Sequence, residues 1–188
     1  MIRTFLLLPL LVPGSAACDT QAPARAAQAQ PPIVQVSSAD ALPALTGRVV
    51  DEAGVLTAPA EAELSARLAA LEKETTDQLV VVTVGSLRSE PIEALGLRLG
   101  NGWGIGRKGV DNGVLLIVAP SDRRARIEVG KGLQGLITDK RAQRIMDEQV
   151  VPACREGHCD RAIGDGVAAI AKLLRSDPKR PQRRRGAA

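Results

Sequence analysis

Between Thr46 and Leu174 the apolar positions follow two rhythms in turn. Leu64, Leu68 and Leu71 recur at helical spacing behind Thr57, a good N-cap, with Pro59 and Glu61 in the first turn; this predicts a helix over about 58–75. QLVVVTV (78–84) is a near-continuous β-branched run and reads as a strand buried on both faces. Ile92, Leu95 and Leu99 mark a second helix, about 91–101, and GVLLIVA (113–119) a second buried strand. PSDR (120–123) has turn chemistry. RARIEVG (124–130) then alternates, with Arg124, Arg126 and Glu128 on one side and Ala125, Ile127 and Val129 on the other. That pattern predicts a strand near a sheet edge, paired in a hairpin with the strand before it. Thr138 caps a third helix through about Ala153, and a fourth runs from about Asp160 to Leu174. The expected fold is an α/β/α sandwich with a small mixed sheet.

The flanks have no such rhythm. Arg3 followed by FLLLPLLV (5–12) and GSAAC (14–18) has the layout of an export signal over residues 1–17, its apolar run far too short to span a bilayer. Small residues before Cys18 resemble a bacterial lipobox, which makes Cys18 the expected lipidation site; Ser15 departs from that motif, and cleavage without lipidation is the alternative. Either route places the protein in the cell envelope, with a lipid-anchored periplasmic domain as the favoured form. Residues 18–45, rich in Ala, Gln and Pro, read as a tether, and residues 46–174 as the folded domain.

Charge sharpens this division. The chain is +4 overall, but the segment from Arg175 onward holds six basic residues and one acid, so its +5 leaves the remainder at −1. The basic character belongs to a disordered tail over 175–188, which either contacts anionic lipid or only solubilises the end. A nucleic-acid partner is not expected, because such domains carry their charge on a folded face. With one Trp, one Phe and no Tyr, the core has to be built from Leu, Val, Ile and Ala.

GIGRKG (104–109) matches the G-x-G-x-x-G pattern of dinucleotide-binding folds. There the glycines follow a strand and open a helix, so that phosphate meets the helix N-terminus. Here they follow a helix and lead into a strand, so no dinucleotide is expected and the glycines serve an irregular loop.

Three stretches, GRVVDEAGVLT (47–57), WGIGRKGVDNGVLLIVAPSDRRARIEVGKGLQGLITD (103–139) and VVPACREGHC (150–159), together resemble the TPM-domain family. That family includes thylakoid-lumen proteins of photosystem II repair and many bacterial envelope proteins. The resemblance implies an α/β/α sandwich outside the cytoplasm and, by analogy with plant relatives, acid-phosphatase activity and a divalent metal, often calcium. Two departures stand out: Lys131 sits where relatives often have Tyr, and Cys154 and Cys159 fall where aromatics are usual.

If Cys18 is lipidated, two cysteines remain, an even number in an oxidising compartment, five positions apart around a Gly-containing turn. A Cys154–Cys159 disulfide is the expectation, with two buried thiols filling the aromatic space as the alternative. The single His158 lies in the same turn; with no partner constellation it reads as an exposed turn residue, and two Cys plus one His fall short of a closed zinc site. Asp111, Asn112 and Asp139 form a better candidate. The hairpin brings the start of one strand beside the end of the next, so all three lie at one end of the sheet, where their oxygens suit a hard cation such as Ca²⁺, or Mg²⁺. Their ordinary roles compete: a turn for Asp111 and Asn112, a helix N-terminal charge for Asp139. Asp51 also follows the family pattern but falls at the other end of a parallel unit, and Trp103 reads either as a core residue or as an exposed partner anchor.

Two functions stay open. One is a metal- or partner-binding module in membrane-protein assembly or quality control. The other is a metal-dependent acid phosphatase of modest activity. The lack of a P-loop, of a nucleophile with its base and of a dense two-metal cluster favours the first.

Overall fold

The computed structural model describes residues 42–179. The export segment, Cys18, most of the tether and the last nine residues lie outside them. Four strands form one mixed sheet in the order β1 (Val49–Asp51), β2 (Gln78–Thr83), β3 (Gly113–Ala119) and β4 (Arg124–Val129). The first three are parallel; β4 returns antiparallel on β3, pairing Val114 with Val129 and Ala119 with Arg124. The helices are α1 (Ala58–Thr75), α2 (Ile92–Trp103), α3 (Asp139–Ile145), α4 (Val151–Arg155) and α5 (Cys159–Arg175). A 3₁₀ turn, Lys131–Leu133, follows β4, and a π-helical turn, Met146–Val150, joins α3 to α4.

The expected α/β/α sandwich is realised by two apolar layers. On one face Val81, Leu116 and Ile127 of the sheet pack against Leu68 of α1, Ile145 of α3 and Ile163 and Ile170 of α5. On the other, Val82, Leu115 and Ile117 pack against Ile92, Leu95 and Leu99 of α2. Strand β3 is buried along its whole length, as an interior strand covered on both faces must be. On β4, Arg126 and Glu128 pair with each other at 2.9 Å and lie under α2, where Gly96 lets the helix approach.

Strands β1, β2 and β3 follow one another in space, yet α1 and α2 cover opposite faces. The two crossovers therefore have opposite hands, and one of them breaks the right-handed preference of βαβ units.

Local chemistry sets the boundaries. Thr57 caps α1, accepting from Ala60 N–H at 3.4 Å, and Thr138 caps α3, accepting from Arg141 N–H. Past the π turn, Pro152 has no N–H to donate to the carbonyl of Glu148, so a regular α-helix cannot run through this point. The Cys154–Cys159 disulfide closes the turn between α4 and α5 with the Cα atoms 4.2 Å apart.

Two ends of the body reach further than the sequence pattern indicates. Leu42 packs against the α2-side core, and the indole N–H of Trp103 donates to the carbonyl of Pro43 at 2.9 Å, so part of the tether is a strap on the domain. At the other end Arg175 closes α5 and pairs with Glu74 of α1 at 2.8 Å. No helix among the described residues is long and apolar enough to cross a membrane.

Candidate functional site

The glycine-rich loop between α2 and β3 is locked by its own amides. Gly106 N–H donates to Oε1 of Gln78 at 2.8 Å, and Arg107 N–H to Oδ1 of Asn112 at 3.0 Å. The N–H groups of Val110 and Asp111 both return to the carbonyl of Arg107. Gln78 is in turn held by Glu72 of α1, whose carboxylate also receives Arg48. These four N–H groups are engaged within the protein and hold the loop in place.

The glycines serve close approach instead. A Cβ on Gly113 would stand 2.4 Å from the carbonyl oxygen of Ile105, one on Gly130 2.2 Å from that of Asp111, and one on Gly132 2.0 Å from that of Val110. The loop before β3 and the 3₁₀ turn after β4 are thus packed backbone on backbone, joined by Gly132 N–H donating to Asp111 O at 3.0 Å.

This junction floors a cleft of about 350 Å³ between α2 and the start of β3. Ile105, Leu115 and Val129 give it an apolar base; Asp111, Glu128, Lys131 and Gln134 give it a polar rim. Leu97 of α2, 55% exposed, stands at its edge.

The three residues singled out by the sequence take different roles. Asp111, exposed and with φ 51°, borders the cleft. Asn112 is fully buried; its Nδ2 donates to Thr76 O at 2.7 Å and to Oδ1 of Asp77 at 3.1 Å, while its Oδ1 accepts from Arg107 N–H. Its amide is therefore committed to holding the loop on the α1–β2 junction. Asp139 is exposed in the first turn of α3, where a carboxylate complements the helix dipole, and does not line the cleft. Among the described residues no three His, Cys, Asp or Glu side chains are grouped so as to hold a metal. Glu128 and Gln134 are rim residues that the sequence reading did not single out; the alternation of β4 puts Glu128 on the α2 side and so beside this cleft.

Asp51 lies at the opposite end, beside Thr83 at the close of β2. Its carboxylate accepts from Val55 N–H at 3.2 Å and Leu56 N–H at 2.8 Å, and from the Thr83 hydroxyl. It caps the β1–α1 connection and is remote from Asp111. His158 is exposed at the start of α5, its backbone N–H bound to Ala153 O.

An open mixed sheet clad on both faces, with interlocked glycine loops framing a small cleft, defines an α/β/α sandwich domain. The TPM domain model matches residues 49–173, and the chain belongs to the TPM-domain family. The N-terminal domain of a protein from P. gingivalis, solved by NMR, is 34% identical over 69% of this chain and 82% of its own, with a TM-score of 0.64. The BA42 protein of the psychrophile Bizionia argentinensis is 19% identical, covering 63% of this chain and 81% of its own, at TM-score 0.55. The N-terminal domain of a protein from Corynebacterium glutamicum is 14% identical, covering 71% and 83%, also at 0.55. These last two share the fold. No curated protein matches the chain.

Proposed function

We propose that the domain is a binding module of the cell envelope, held by a lipid at Cys18, that presents the Asp111 cleft to a segment of a membrane-protein partner during assembly or quality control. The observation that carries this reading is the cleft itself. A small apolar base, an exposed leucine at its edge and a rim of both charge signs suit one inserted side chain flanked by polar contacts. The rigid glycine junction beneath keeps that surface preformed, which lowers the ordering cost of binding.

A divalent cation, Ca²⁺ or Mg²⁺, enters the proposal through Asp111. Glu128 is engaged by Arg126, Asn112 is spent on the loop and Lys131 stands on the same rim, so weak affinity is expected, roughly 10⁻⁴ to 10⁻³ M. The alternative reading, a metal-dependent acid phosphatase, requires the same ion to polarise a phosphoryl oxygen.

One experiment separates the two. Ca²⁺ titration by calorimetry and turnover of p-nitrophenyl phosphate are measured on the wild type and on Asp111→Asn and Asp139→Asn. The module reading expects weak Ca²⁺ binding lost in Asp111→Asn, kept in Asp139→Asn, and no turnover above background in any of them. Metal-dependent turnover abolished by Asp111→Asn would replace it with the phosphatase.

A further inference from the structure

A second and larger crevice lies at the other end of the sheet, where Asp51 caps its loop. The connection after β1 leads to α1 on one face, and the connection after β2 leads to α2 on the other. Where neighbouring parallel strands send their connections to opposite faces, a gap opens outside their carboxyl ends, and open α/β sheets bind ligands in that gap. Here it measures about 1050 Å³.

Its walls come from separate parts of the chain: Glu52 just after β1, the Gly85–Glu90 loop after β2, Arg98 of α2, and the Leu42–Ala44 strap. The base is apolar, with Val84, Leu87 and Leu95 all buried. The loop after β2 is fixed from outside by Leu87 N–H, which donates to Asp122 at 2.8 Å, and within itself by Arg88 N–H, which donates to Ser86 Oγ at 3.2 Å. Arg88 and Ser89 carry left-handed backbone, at φ 47° and 69°, which neither residue type favours and which the surrounding structure imposes.

The charges decide the class of ligand. Arg98 and Glu90 are paired at 3.2 Å. Glu52 and Arg88 are exposed and form no ion pair among the described residues. The crevice thus offers one unspent carboxylate and one unspent guanidinium, from different connections, over an apolar base. An anion alone would meet Glu52 and Glu90, and a cation alone would meet Arg88 and Arg98.

We infer that this crevice binds a small zwitterion with an apolar body, of the amino-acid or short-peptide class. Arg88 takes the carboxylate, Glu52 takes the ammonium, and Val84, Leu87 and Leu42 receive the apolar body. The site is separate from the Asp111 cleft and does not depend on the function proposed for it.

The test is an amide-resolved NMR titration of the full chain with the dipeptide Ala-Leu, with its N-acetylated, C-amidated form, and with inorganic phosphate. Saturable shifts confined to Glu52, Gly85–Glu90 and the strap are expected for Ala-Leu at about millimolar concentration, with affinity at least about tenfold weaker for the blocked form. Arg88→Asn, which tolerates the left-handed backbone, and Glu52→Gln should each weaken Ala-Leu binding about fivefold or more. The dispersion of each variant's spectrum reports its fold, so lost binding and lost structure are distinguished. Equal binding of the blocked form, stronger binding of phosphate at the same residues, or no response to Ala-Leu in the folded wild type would each overturn the assignment.

Discussion

Thr76 ends α1 in a left-handed conformation, φ 69°, that a β-branched side chain resists, and its buried Oγ1 finds no partner among the described residues. Replacing it by Gly removes both costs while keeping the carbonyl that receives Asn112. Thr76→Gly is therefore expected to raise stability by about 1 kcal/mol, read as a higher urea midpoint at unchanged slope. The opposite sign is expected at Gly132, where a Cβ would collide with backbone rather than with a side chain that can turn away. Gly132→Ala should cost about 2 kcal/mol and loosen the cleft with it. Single residues were the least legible level in the sequence. Asp111 and Asn112 are neighbours of similar chemistry, and nothing in DNG tells which faces the cleft and which is buried. Two long-range bonds, to Thr76 O and Asp77 Oδ1, decide that, with a local one from Arg107 N–H.

At the level of elements the sequence was far more informative, because caps and periodicity are local. Thr57 and Thr138 placed two helix starts, and the apolar runs placed β2, β3 and β4 to within a residue or so. Strand β1 escaped notice: its three residues, Val49–Asp51, are too few to show a period, and only pairing with Val81–Thr83 makes them a strand. The mixed handedness of the crossovers was equally hidden, since it depends on which face each helix covers. The disulfide belongs to this level too. It links α4 to α5 behind a proline and a π turn, where helical hydrogen bonding is already interrupted. The double variant Cys154→Ser/Cys159→Ser should lose about 2 kcal/mol, the value for closing so short a loop. Chemical denaturation gives the loss, and thiol titration of the unfolded wild type without reductant should show the pair oxidised.

The molecule as a whole builds two apolar layers almost without aromatics, which leaves Trp103 as the chain's single indole. That indole is fastened to the strap through Pro43 O, so one chromophore sits where the strap meets the domain. A chain beginning at Thr46 should still unfold cooperatively, since the strands, the helices and nearly all of both core layers lie beyond the cut. Its tryptophan emission should shift to the red as water replaces Leu42 and Pro43; an unchanged spectrum would mean that the strap does not shield the ring. The protein consequently carries a built-in optical gauge. With no tyrosine and no second tryptophan to blur the signal, the colour and quenching of one residue can follow, in real time, whether the strap peels from the domain.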